Sequence, residues 1–350
     1  MYQNYFKLKR EPFGMTPDPY CLFRTESHRE ALSGLSYALL EGKGFVILTG
    51  EVGTGKTTVL NRVLHFIPST HAVFSVVLNP TLSADEFLES VLMDFGIENI
   101  PASKVHRLVR LQQFLAKTQA NSRTCVLVVD EAHKLSPEVL EEIRLLTNFE
   151  NAQRKLLQVV LVGQTELRTL LNREDLRQLK QRIALRFELQ PLSVDEVGQY
   201  MRFRWRNAGA EEDLPFERDA IHRIGSVSRG LPRLINALCD NALMVAYGSG
   251  DACVTAAHVG QAMRDLDLGR AEEILAVPKV NGVAKSNAVA KSNGVAAADT
   301  LRLPPPSPVM AALPLRLRTL EKYIPSERKA PLLMRWAGKV RLAPVERENP

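Results

Sequence analysis

Two kinds of hydrophobic pattern divide this chain. Up to about residue 190, short apolar runs at 45–48, 71–78, 125–130, 156–162 and 185–189 are separated by stretches whose apolar residues recur every three or four positions. An apolar run without polar alternation predicts a strand buried on both faces of a parallel sheet, and the longer period predicts amphipathic helices. Helices are expected over 83–95, 104–118 and 137–149, the last with Ser136 as cap and proline at its first position. An earlier one starts after Thr25 or Ser27, where His28, Ala31, Leu32, Leu35 and Leu39 share a face. Strands alternating with helices predict an α/β fold with a parallel sheet.

From residue 193 the strand pattern stops. Helical spacing over 194–208, 216–228, 231–247 and 255–268 predicts a separate small helical domain. Beyond Gly269 comes a six-residue repeat, NGVAKS, NAVAKS, NGVA, too short and too rich in small residues to build a core, which predicts a flexible linker. The last fifty residues hold nine prolines, and little regular structure is expected there beyond a short basic helix at 332–340. The expected organisation is a nucleotide-binding α/β domain at 1–192, a helical lid at 193–268, a linker at 269–300 and a disordered basic tail at 301–350. The leader at 5–19, rich in aromatics and prolines, reads as an extended segment strapped onto a domain.

The run 44–58, GFVILTGEVGTGKTT, carries the chemistry. An apolar strand enters a loop matching G-x-x-x-x-G-K-[ST] at Gly50, Gly55, Lys56 and Thr57, and a helical pattern follows. The loop Gly50, Glu51, Val52, Gly53, Thr54, Gly55, Lys56, Thr57, Thr58 can turn backbone N–H groups around phosphate oxygens, with the helix dipole aimed at the same anion. Lys56 would reach the β- and γ-phosphates and Thr57 would ligate Mg²⁺, so ATP and Mg²⁺ are the expected ligands. Residues 22–35 are a candidate wall for the base.

Asp130 and Glu131 close the third strand. The pattern assigns Asp130 to Mg²⁺ through water and Glu131 to the attacking water as general base. His133 completes the letters DEAH, read as coincidence because no second helicase half is present. Gln164, after the fourth strand, falls between the P-loop and the acidic pair, to orient the water or sense the γ-phosphate; a turn-forming Gly-Gln is the alternative. Arg182, before the fifth strand, is a candidate for transition-state stabilisation from a neighbouring subunit, with Arg177 and Arg186 competing. Arg233, in GLPR at the start of a helix, would bridge the γ-phosphate from the lid. Arg202, Arg204, Arg206 and Arg229 are left as solvated or partner-facing surface.

Composition narrows the class. The 45% hydrophobic and 24% charged residues of the 350 are those of an ordinary globular protein. No apolar run approaches the roughly 18 residues of a membrane span, and the N-terminus does not read as a signal peptide. Cys21, Cys125, Cys239 and Cys253 are scattered, without metal-ligand spacing, and are expected as buried thiols in a reducing cytosol. The net charge of +6 sits in the tail: residues 301–350 hold ten Lys/Arg against four Glu, and the remainder holds 35 of each sign. A neutral body argues against a body-wide nucleic-acid surface. The tail could meet a membrane surface, nucleic acid or an acidic protein, or simply be solvated.

Taken together and in order, these motifs resemble an AAA+ ATPase: GEVGTGKT as Walker A, VLVVDE as Walker B, Gln164 as sensor 1, Arg182 as arginine finger and GLPR as sensor 2 on a helical lid. EPFGMTPDP, DEAHKL, LVGQTEL and SRGLPRLINALCDNAL look more narrowly like the ExeA/GspA family of the general secretion pathway. The resemblance, over roughly residues 1–268, implies a cytoplasmic ring-forming homo-oligomer, peripheral at the inner face of the membrane, that helps assemble or localise a secretion or export complex. The same core resembles DNA-binding ATPases that regulate transposition, which keeps nucleic acid as the alternative partner.

Overall fold

The computed structural model describes residues 2–268 apart from 17, 19, 20, 79, 152 and 153. The expected linker, tail and tail helix lie outside the described residues. Residues through Leu266 belong to one compact unit.

Five strands form where the unbroken apolar runs stand: β1 (Phe45–Gly50), β2 (Ala72–Val77), β3 (Thr124–Val129), β4 (Leu157–Gly163) and β5 (Ile183–Leu189). They make one all-parallel sheet in the order β2-β3-β4-β1-β5. Helices α2 (Glu26–Leu40), α3 (Lys56–Phe66), α4 (Ala84–Asp94), α5 (Lys104–Ala120), α6 (Pro137–Leu146), α7 (Glu166–Leu171) and α8 (Arg177–Gln181) belong to the same domain, and the short α1 (Tyr2–Tyr5) precedes them in the leader.

Alternate strand residues serve opposite faces. Phe45, Ile47, Leu127, Val129, Val159 and Leu161 join a core with residues of α4, α5 and α6. Val46, Leu48, Val126, Val128, Val160 and Val162 join a second core with residues of α2 and α3. Both faces are covered, which is why β1, β3 and β4 carry no polar alternation.

Most helix starts follow the expected caps. Thr25 caps α2, Ser136 caps α6 with Pro137 behind it, and Ser83 closes a capping box with Glu86 on α4. The helix expected over 137–149 ends at Leu146, because the chain then reverses: Leu156 N–H donates to Phe149 O, and Glu150 and Lys155 form an antiparallel bridge. The short α7 and α8 were not anticipated, since five or six residues are too few to display a period. The thiol expectation is corrected by half: all four cysteines are free, but only Cys125 and Cys239 are buried, while Cys21 is intermediate and Cys253 exposed.

The lid consists of α9 (Val194–Asn207), α10 (Arg218–Ser228), α11 (Pro232–Ser249) and α12 (Ala256–Asp265). Its return to the sheet is pinned at Gly230, which has φ +73 and accepts a hydrogen bond from Leu192 N–H at 2.8 Å. A Cβ there would lie 1.9 Å from Leu192 O, so only glycine fits.

The leader begins as the four-residue α1 and is strapped onto the helical lid rather than onto the α/β domain with which the sequence groups it. Lys9 N–H donates to Ala208 O, Arg204 donates to Pro12 O and Gly14 O, and the Tyr2 hydroxyl donates to Asp240. Phe13 is fully buried against Phe216, edge to face. Arg204 is therefore not free surface, contrary to expectation; it holds the leader. Arg202, Arg206 and Arg229 are exposed.

Candidate functional site

Parallel strands deliver their carboxyl ends to one edge of the sheet, and β4 lies between β1 and β3. The P-loop after β1, Asp130 after β3 and Gln164 after β4 therefore share one edge. A cavity of about 370 Å³ opens there, lined by loop residues 52–58, Glu131, leader residues between Gly14 and Phe23, His28, and Tyr200, Arg204, Arg233 and Asn236 of the lid. The wall expected over 22–35 is corrected: it starts earlier, at Gly14, and ends at His28, because Ala31 and Leu35 turn into the core.

Lys56 is 7% exposed, and its Nζ donates to Gly50 O at 2.9 Å and Glu51 O at 2.8 Å. Burial lowers its pKa, against the opposing pull of Glu131, Asp130 and Glu166. An anion at the loop would favour the charged form. Thr57 Oγ1 donates to Asp130 Oδ2 at 3.2 Å, which joins the two residues expected to hold the metal. A hydroxyl beside a buried carboxylate is a hard-oxygen pair of the kind that suits Mg²⁺. The remaining oxygen, Asp130 Oδ1, accepts from Glu131 N–H at 2.8 Å.

Glu131 has φ +53, a conformation rare for a side chain of this size. Its Oε2 lies 3.1 Å from Lys134 Nζ and 3.7 Å from His133 Nε2. His133, set aside in the sequence, stands between Glu131 and Gln164: its Nδ1 accepts from Gln164 N–H at 3.3 Å, and its Nε2 lies 3.1 Å from the Gln164 amide. Only its place in a four-letter motif pointed to it, and the motif suggested a different enzyme.

From the lid, Arg233 N–H donates to Gly53 O at 3.3 Å, and its side chain lines the cavity. Asn236, also lining it, accepts from the Tyr200 hydroxyl at 2.8 Å, and burial pushes the Tyr200 pKa up to about 12. Arg182 is not brought to this cavity. Its Nη1 donates to Arg144 O and Thr147 Oγ1 at the end of α6. Arg177 and Arg186 are exposed and do not line the cavity either.

A five-stranded parallel sheet with a P-loop, an acidic pair on the next strand but one in sequence and a helical lid defines the AAA+ class of P-loop NTPases, and residues 39–171 match the AAA domain family. Within that class the chain is a relative of general secretion pathway protein A: it is 44% identical over 253 residues to that protein of Aeromonas hydrophila, across 71% of this chain and 46% of the relative. The chain thus spans less than half the length of that relative. The ATP-dependent target DNA activator B of Escherichia phage Mu is 25% identical over 257 residues, covering 72% of this chain and 75% of that protein. Among solved structures, Cdc6p of Pyrobaculum aerophilum superposes with a TM-score of 0.61 at 19% identity, covering 77% of this chain and 75% of that one. ORC2 of Aeropyrum pernix, solved as ADPNP–ADP complexes, gives 0.56 at 17% identity, with 73% and 72% covered. These two show a shared fold.

Proposed function

We propose that the chain hydrolyses ATP and uses the cycle to drive assembly or localisation of an envelope secretion or export complex. The observation that carries the hydrolytic part is the meeting of Thr57 with Asp130 beside the buried Lys56, with Glu131 on the rim of the same cavity. The P-loop amides and Lys56 bind the phosphates. Bound Mg²⁺, held by Thr57 and Asp130, would neutralise phosphate charge. Glu131 takes a proton from the water whose oxygen bonds to the γ-phosphorus as the bridging P–O bond to ADP breaks. Gln164, braced by His133, orients that water. Arg233 reports on the γ-phosphate from the lid, and Arg182, which does not line its own chain's cavity, acts on that of a neighbouring subunit in a ring.

The secretion role draws support from the relationship to general secretion pathway protein A. Among the described residues no helix is long and apolar enough to cross a membrane. A cytoplasmic motor, peripheral at the membrane, accords with this reading. Glu131→Gln is expected to bind ATP normally and to lose nearly all turnover; near-normal turnover would remove Glu131 as base.

The second reading, a DNA-binding ATPase regulating transposition or partition, has the similarity to the phage Mu protein in its favour. Steady-state ATP hydrolysis with and without duplex DNA at near-physiological salt separates the two. Strong stimulation selects DNA, and indifference to DNA favours a protein or membrane partner.

A further inference from the structure

By sequence His28 is one position on a helical face and part of a candidate wall. In the fold its ring packs against the P-loop from the first turn of α2, in the wall of the cavity, and the residue is 3% exposed. Nε2 stands 3.1 Å from Thr54 O, and Nδ1 stands 2.7 Å from Thr25 Oγ1. A carbonyl oxygen only accepts, so Nε2 carries the proton. Burial lowers the pKa of the ring, and a neutral imidazole with a proton on Nε2 accepts at Nδ1 from the Thr25 hydroxyl.

We infer that His28 is a positioning residue of the nucleotide site: by holding the Thr54 carbonyl, it fixes the Thr54–Gly55 peptide so that the Gly55 N–H faces the phosphate side of the loop. This rests on the ATP-binding reading above. In a trans peptide the C=O and N–H point in opposite directions, and the described residues contain no cis bond. Anchoring the carbonyl on the His28 side therefore aims the following N–H the other way. With the donor gone, the carbonyl is free to turn inward and place an acceptor where phosphate oxygens need donors. The charged groups sharing the cavity are Asp18, Lys56, Glu131, Arg204 and Arg233, and Glu196 of α9 is close enough to raise the His28 pKa in part.

The geometry selects its own control. Glutamine carries its amide nitrogen at about the reach of imidazole Nε2, whereas the asparagine amide ends near the Nδ1 position and falls short of Thr54. Binding of mant-ADP to the whole chain is measured for wild type, His28→Gln and His28→Asn, alongside the melting temperature of each without nucleotide. His28→Asn should bind about tenfold more weakly and His28→Gln within about threefold of wild type, at similar melting temperatures. Should His28→Asn fail to fold, His28→Gln is compared with His28→Leu, and the same split is expected. A common loss of binding that follows a common loss of stability, or wild-type binding by every variant, overturns the inference alone. A wild-type protein that does not bind mant-ADP overturns the ATP-binding reading and this inference with it.

Discussion

The backbone N–H of Arg233 donates to the carbonyl oxygen of Gly53 over 3.3 Å, so the first turn of lid helix α11 is bonded main chain to main chain with the phosphate loop. A Cβ on Gly53 would stand 2.8 Å from the Arg233 Cβ, at a backbone φ of +84°. Gly53→Ala is expected to cost about 1–3 kcal/mol, because strain and clash fall on the same residue. It should also weaken nucleotide binding by pushing the lid off the loop. Urea denaturation and mant-ADP titration check the two effects; a variant unchanged in both would show that loop and lid part freely.

The leader is held by burial as much as by hydrogen bonds. Phe13 is fully buried, with its ring 6.3 Å from that of Phe216. Phe13→Ala should lose about 3–5 kcal/mol. Because leader residues also line the cavity, the same variant should bind nucleotide more weakly even where it remains folded. Intact binding by the folded variant would mean that the Gly14–Phe23 wall is dispensable.

On the far side of the sheet, Glu142 is 3% exposed and accepts from Lys104 Nζ at 2.6 Å, while its other oxygen is buried without a hydrogen-bond partner. Removing the lysine strands a buried charge. Lys104 is 43% exposed, so solvent screens part of the pair, and Lys104→Met is expected to cost about 1–3 kcal/mol rather than the full cost of breaking a wholly buried pair. Lys104→Met with Glu142→Leu should recover most of it. Denaturation midpoints of the single and double variants decide, and a double variant as weak as the single would refute the assignment.

Acid should destabilise the protein through His28. Its folded pKa lies below the ordinary 6.5, so between the two values the unfolded chain binds more protons and stability rises with pH. The contribution is fully present above about pH 6.5 and is lost as pH falls below that value. Thermal melts from pH 8 to pH 5 should show a shallower acid decline for His28→Gln than for wild type; parallel curves would exclude the ring as the titrating group.

Much of the site was legible in the residues because its chemistry is local. The loop 50–58 needs its lysine, threonine and glycines at fixed spacing to wrap an anion, and the unbroken β3 run ending in Asp130 declared a buried strand with an acid at its end. Thr57 and Asp130, paired from sequence alone as metal ligands, are in contact. Arg204 was misread because its partners, the carbonyls of Pro12 and Gly14, lie some 190 residues away and leave no local pattern. The exposure of Cys253 was equally invisible, since a thiol's burial depends on what packs over it.

By itself, then, the sequence determined the strands, the main helices, the parallel α/β class and the phosphate loop, all of which follow from periodicity and short-range spacing. Tertiary structure alone decided the rest. The α2 packing brings His28 to the Thr54 carbonyl, Arg182 goes to the end of α6 instead of the cavity, and the strapped leader makes lid and loop share one cavity. These are meetings of residues tens to hundreds of positions apart, specified by which apolar faces bury one another, and hydrophobic burial has no direction along the chain from which such pairings could be read.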